Sequence, residues 1–350
     1  MIFKTKRILL PACMLMGAII SQAAAARDLT VVSWGGNFQD AQREIHFKPF
    51  TEATGIKLID QPWTGGVGVL DVKVKAGNPT WDVVEVEAEE LAIGCDLDLF
   101  EPIDWSVIGD KNDFVPEAVS ECGVGVMMWS TGLSYDGDRL KDGPTGWADF
   151  WDTQKFPGKR GLRKGPKYAL EAALLADGVP TKDVYKVLRT PEGVDRAFAK
   201  LDQIKSDIVW WEGSQALQML ASGDVIMTSA FNGRISGFNR NEGKNFKFVW
   251  NGSVPALDSW VVLKGSEKKD DAMKFIAFAS QPENQAKLPK YIAYGMTNTK
   301  ANNLVPEEYR AELPSDPENM KNALPLDVDF WVDNIESLNE RFNAWVAKGF

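Results

Sequence analysis

Histidine chemistry in this 350-residue chain would rest on one residue, His46. It stands between Ile45 and Phe47 in a helical stretch, the setting of a structural imidazole rather than a catalytic one. No Gly-x-Ser-x-Gly elbow presents a serine nucleophile. Neither Cys/His spacing for zinc nor a phosphate-binding loop is present, and Gly65-Gly66-Val67-Gly68 reads only as a loop. The residues thus point to no metal and no cofactor. Carboxylates are abundant, so an exported carboxylate-based hydrolase stays open as an alternative, though nothing singles out a pair.

Aromatic residues are the other candidates for chemistry. The chain has 13 tryptophans, and Trp34, Trp63, Trp81, Trp210, Trp211 and Trp260 fall at the ends of segments. Most such indoles fill cores. Trp34, however, ends the first strand-like run, where ligands meet an α/β sheet. An indole face there can hold an ammonium group, worth about 0.5–2 kcal/mol. Trp211 closes a later strand in the same way.

The elements that must position these residues alternate between strand and helix patterns, which predicts an α/β fold. Residues 29–34 read as a strand, and a helix follows with Asn37 as its N-cap and Phe38, Ala41 and Ile45 on one face. Strands at 56–61 and 81–86, with a helical piece at 69–76, complete a βαβαβ half. An apolar run over 123–135 is long enough to cross between lobes. Runs at 208–211, 225–229 and 246–250 read as strands of a second sheet, and 258–263 as a strand returning to the first lobe. Helical periodicity marks 194–204, 272–279 and 335–346. About 320 residues is enough chain for two domains. The expected division is 27–136 with 258–303 for lobe 1, and 137–257 with 304–350 for lobe 2.

The compartment is written in residues 1–26. Lys4, Lys6 and Arg7 precede an apolar run from Ile8 to Ile20, and Ala23 to Ala26 supply small residues for cleavage. This is the pattern of a secretory signal peptide, too short to span a bilayer. Without its three basic residues, 36 Lys and Arg face 49 Asp and Glu, a net charge of about −13. So acidic a surface disfavours nucleic acid, which is bound through clustered Lys and Arg. Cys95 and Cys122 are the mature pair. In an exported protein the pair reads as a disulfide, with two buried free thiols as the alternative.

Several short stretches, in order along the chain, resemble the polyamine-type (spermidine/putrescine) periplasmic receptors of ABC importers. They are Leu29-Thr-Val-Val-Ser-Trp34, Phe50-Thr-Glu-Ala-Thr-Gly-Ile-Lys57, Trp81-Asp-Val-Val84, Trp147-Ala-Asp-Phe-Trp151 with Phe156-Pro-Gly-Lys159, Phe231-Asn-Gly233 and Asp258-Ser259. The resemblance implies a two-lobed periplasmic binding protein fold, hinged on crossing strands. It implies a closing cleft for an amine-bearing solute, an importer as partner, and a monomer. By that resemblance Asp258 receives an ammonium, Phe231 stands at an aromatic wall, and Trp34 is the first-strand aromatic. The segment 85–89, with Glu87 and Glu89, lines the cleft.

Two departures bear on the ligand. Where those receptors carry acidic residues, this chain has Arg163-Lys164-Gly165-Pro166-Lys167-Tyr168, and Arg234 follows Phe231-Asn-Gly233. A basic group in an amine site repels a second ammonium, whereas a guanidinium grips a carboxylate bidentately. The expected ligand is therefore a zwitterion of the γ-aminobutyrate type as readily as a diamine. Arg234 also has a plainer reading, as a salt-bridge partner of Asp258 or Glu242. A sensory receptor on the same fold is the remaining alternative function.

Overall fold

The computed structural model describes residues 27–348. The predicted signal segment, 1–26, lies outside the described residues. The first half opens with β1 (Leu29–Ser33), flanked in parallel by β2 (Leu58–Pro62) and β3 (Val83–Glu87). All five residues of β3 are buried. Because side chains alternate across a strand, Val84 and Val86 pack with Val32, Trp63 and Val261 on one face. Val83, Glu85 and Glu87 take the opposite face, so two glutamates are carried into the interior by strand geometry alone.

Two long strands join the halves. β4 (Val124–Asp136) and β8 (Phe246–Val262) run antiparallel, with register shifts between Gly125 and Met127 and between Thr131 and Leu133. The C-terminal end of β8 pairs with β3, placing Asp258 opposite Glu87 and Trp260 opposite Glu85. The other end of β4 pairs with β7 (Met227–Phe231). Beyond it, β5 (Arg160–Arg163) lies parallel to β7 and to β6 (Ile208–Trp211). A two-residue β9 (Gly295–Met296) pairs with β4. The runs 246–250 and 258–263, expected as separate strands, are thus parts of one 17-residue strand. It carries the two halves into one ladder of order β2-β1-β3-β8-β4-β7-β5-β6.

Helices cover both sides. The helix Gly36–Gln42 continues through a π-helical turn, Arg43–Phe47, into the helix Lys48–Thr54. Asn37 was expected to cap its start, but the cap position is Gly35, at φ +64°, a left-handed conformation that suits glycine. The amide of Asn37 instead donates to the Arg234 carbonyl, 3.4 Å away. The C-terminal helix, Val328–Ala347, docks on the second half through Trp331, which donates to Glu171 at 2.9 Å. Phe342 packs edge-on against Trp210. The same helix also touches the helix Ala88–Asp96 of the first half. Cys95 and Cys122 form a disulfide, Cα atoms 6.1 Å apart, tying that helix to the start of β4.

Candidate functional site

The carboxyl ends of β1 and β3 face those of β5 and β7 across a small cavity. Trp34, one residue past β1, lines it, as do Glu87 at the end of β3 and Asp258 on β8. From the other half come Arg163 at the end of β5, Phe231 at the end of β7, and Arg234 in the first turn of the helix Asn232–Glu242. Asn232 sets that helix: its carbonyl oxygen accepts from the Ser130 backbone N–H at 2.9 Å and its amide donates to the Ala293 carbonyl at 2.6 Å.

Asp258 is almost fully buried, and each carboxylate oxygen accepts an indole N–H. Trp34 donates to Oδ2 and Trp129 to Oδ1, both at 2.7 Å. Burial pushes this carboxyl well above the usual carboxylate range, and the charges of Glu85 and Glu87 add to the push. The two indole donors oppose it. Trp34 stacks on Trp63 with ring centres 5.2 Å apart, and Trp129 meets Phe231 edge-on at 5.0 Å. Behind Asp258, Glu85 is fully buried and held by Ser33 and Gln42, both at 2.8 Å. Its burial raises it to about 8.

The two arginines of the cavity have different partners. Arg163 donates to Glu87 at 3.0 Å. Arg234 donates to the Trp34 carbonyl at 3.1 Å, across the two halves, and forms no ion pair with a carboxylate among the described residues. It therefore does not salt-bridge Asp258 or Glu242. Both guanidinium groups flank Phe231, 5.7 and 5.8 Å from its ring centre. Glu87 also accepts from Lys167 at 2.5 Å, and Lys167 reaches Glu89 at 2.5 Å. Burial would raise Glu87, but these cations outweigh it and bring the carboxyl down to about 2.

Five of the seven residues expected at the cleft thus surround one cavity: Trp34, Glu87, Phe231, Arg234 and Asp258. The other two stand behind it. Trp211 is buried with its ring 6.1 Å from that of Phe231, and Glu89 is turned to Lys167 in an adjoining chamber. Sequence reasoning missed Trp129 and Tyr294, both in the cavity wall. Trp129 sits in the apolar run of β4, where nothing distinguishes a wall indole from a core one. The basic segment 163–167 was expected to suit a ligand carboxylate. Here Lys167 and Arg163 instead meet the first half's glutamates, although Arg163 still lines the cavity.

Residues 46–321 match the family of bacterial extracellular solute-binding proteins. The chain belongs to that family. A γ-aminobutyric acid-binding protein of Pseudomonas aeruginosa is 48% identical over 95% of this chain and 96% of its own length. Among solved structures, PBP AgtB from A. tumefaciens R10, in complex with agropinic acid, superposes with TM-score 0.83 at 33% identity. That match covers 91% of this chain and 98% of AgtB. The Atu4243 GABA receptor superposes with TM-score 0.80 at 37% identity, covering 93% and 99%. As a solute-binding protein, the chain captures a small organic solute between two lobes for the membrane subunits of an ABC importer. Its relatives are binding proteins of transporters, and membership implies a secreted, periplasmic protein. Among the described residues no helix is long and apolar enough to cross a membrane.

Proposed function

We propose that the solute is a short ω-amino acid of the γ-aminobutyrate type, its ammonium at Asp258 and its carboxylate at Arg234. One observation carries this reading. Of the four charged side chains in the cavity wall, Glu87 and Arg163 pair with each other, leaving Asp258 and Arg234 without ionic partners among the described residues. One free anion and one free cation in a buried space complement a zwitterion. A diamine of the kind the polyamine resemblance implies asks for a second free carboxylate, and Glu87 already meets two cations. Two relatives are γ-aminobutyrate receptors, which supports the same reading.

The site comprises Trp34, Glu87, Phe231, Arg234 and Asp258, with Trp129 and Tyr294 added to the wall. Glu89 and Trp211 act from behind it, bracing Lys167 and Phe231. The lobes divide near 136 and 258, where the crossing strands carry the hinge, and residues 1–26 serve as the export signal. Magnitudes favour a closed trap. A ligand of about seven heavy atoms has a ceiling near −10 kcal/mol, at about −1.5 each, and micromolar binding already takes about −8.2 kcal/mol. That leaves little room for an exposed groove.

Calorimetry with γ-aminobutyrate, putrescine and spermidine tests the proposal on wild type and Arg234→Ala. The expected result is preference for γ-aminobutyrate, lost in the variant. Tight polyamine binding that ignores Arg234→Ala refutes it.

A further inference from the structure

The ligand cavity shares Thr64, Glu87 and Arg163 with a second chamber of about 1360 Å³, partly open to solvent and reaching Asn339 of the C-terminal helix. What separates the two spaces is an ion cluster drawn from both lobes. Glu87 accepts from Arg163 at 3.0 Å and from Lys167 at 2.5 Å, and Lys167 also meets Glu89 at 2.5 Å. Glu87, Glu89 and Lys167 are each at most 7% exposed. Building on the amino-acid reading above, we infer that this cluster is the wall that limits ligand length, and so selects short ω-amino acids over longer ones.

The wall stands on fixed backbone. Glu87 ends β3 and caps the helix Ala88–Asp96, its own N–H held by Glu90 at 3.0 Å. Arg163 ends β5, its N–H held by Ser229 at 3.0 Å. Tyr168 adopts φ +71°, a left-handed conformation that a bulky residue takes only when its surroundings enforce it. That turn keeps Lys167 against the two glutamates. A longer ligand cannot enter the chamber without parting these pairs, and parting them strands buried charges, which is strongly unfavourable. Beyond the wall, Asp71, Lys164, Glu336 and Asn339 line a mixed space together with Ile93, Leu97 and Ile335. An extended amino-carboxylate chain would be accommodated there once the wall is gone.

The experiment is calorimetry of the whole mature protein with γ-aminobutyrate, 5-aminovalerate and 6-aminohexanoate. Wild type should favour γ-aminobutyrate. Glu87→Ala/Lys167→Ala should shift the ratio of affinities toward 6-aminohexanoate by about tenfold or more, the scale of methylene discrimination in a pocket. Glu87→Gln/Lys167→Met keeps the bulk but not the charges, so it should weaken every ligand while leaving that ratio near wild type. If the double-alanine protein does not fold, Arg163→Ala supplies the same comparison. An unchanged ratio in a folded alanine variant overturns the wall, as does a wild type that takes 6-aminohexanoate as tightly as γ-aminobutyrate. A wild type that binds none of the three fails the amino-acid reading itself, a different and recognisable result.

Discussion

Trp34 and Asp258, 224 positions apart, are joined by a 2.7 Å hydrogen bond from the indole N–H to Oδ2. With Trp129 on the other oxygen, the carboxylate is fixed in orientation. Its remaining lone pairs are free for a ligand. The aspartate is thereby pre-organised, and little ordering cost is left for binding.

Replacing Asp258 with Asn keeps an oxygen for one indole but removes the charge opposite the ammonium. Removing one partner of a buried charge pair costs about 2–5 kcal/mol. Calorimetry should therefore show γ-aminobutyrate affinity down by about a hundredfold or more at neutral pH. Affinity within about threefold of wild type would place the ammonium elsewhere.

Proton release should accompany binding. Burial and the neighbouring Glu85 and Glu87 raise the Asp258 carboxyl, so the empty site takes up a proton at higher pH than an ordinary aspartate does, whereas an ammonium requires the carboxylate. Stability from a carboxyl raised in the folded state is full below its unfolded value and lost as pH climbs through the folded one. A bound ammonium offsets that loss, so ligand affinity should increase with pH. Calorimetry in buffers of different ionisation enthalpy measures the released proton, and the release should vanish in Asp258→Asn.

Gly36 is a second lever on the carboxylate end. Its φ is +61°, and an added Cβ would lie 2.9 Å from Arg234 Nη1. Gly36→Ala should displace that guanidinium and weaken γ-aminobutyrate about tenfold or more, while amines lacking a carboxylate lose less. The comparison separates a local effect on Arg234 from general damage to the fold.

His46 governs part of the acid stability. It is buried with neither ring nitrogen hydrogen-bonded, and burial, helped by Lys287, lowers it to about 3. The native state keeps it neutral, whereas the unfolded chain takes up a proton below about 6.5. Its contribution is intact above that value and falls by about 1.4 kcal/mol per pH unit toward 3. Glu85, Glu90 and Glu171, all raised by burial, slope the other way. Urea unfolding of His46→Leu against wild type at pH 7 and pH 5 cancels them. The variant should gain about 2 kcal/mol relative to wild type on acidification.

Cys95→Ser/Cys122→Ser opens a loop with sequence separation 27. Chain-entropy arguments put the loss at about 3 kcal/mol, readable as a lower denaturation midpoint. Neither cysteine lines the ligand cavity, so γ-aminobutyrate affinity should stay within about threefold.

Much of this molecule was decided locally. Apolar, β-branched runs in 29–33 and 83–87 made strands buried on both faces. Helical spacing in 191–202 and 328–347 made helices. Asp258, Phe231 and Trp34 were legible through short motifs, and Arg234 through a departure from them. Other features depend on register. Lys167 meets Glu87 across 80 positions, and only the lobes' closure decides that this basic segment faces acid rather than ligand. Trp129 joins the site because β4 pairs with β8 in the register that sets Trp129 opposite Ala256, two residues from Asp258. Residue patterns, together with the family resemblance they carry, pointed to a secreted two-lobed trap with one anion and one basic group to offer. Tertiary structure alone chose which charges neutralise one another and which stay free, because that depends on distances between residues the chain keeps far apart.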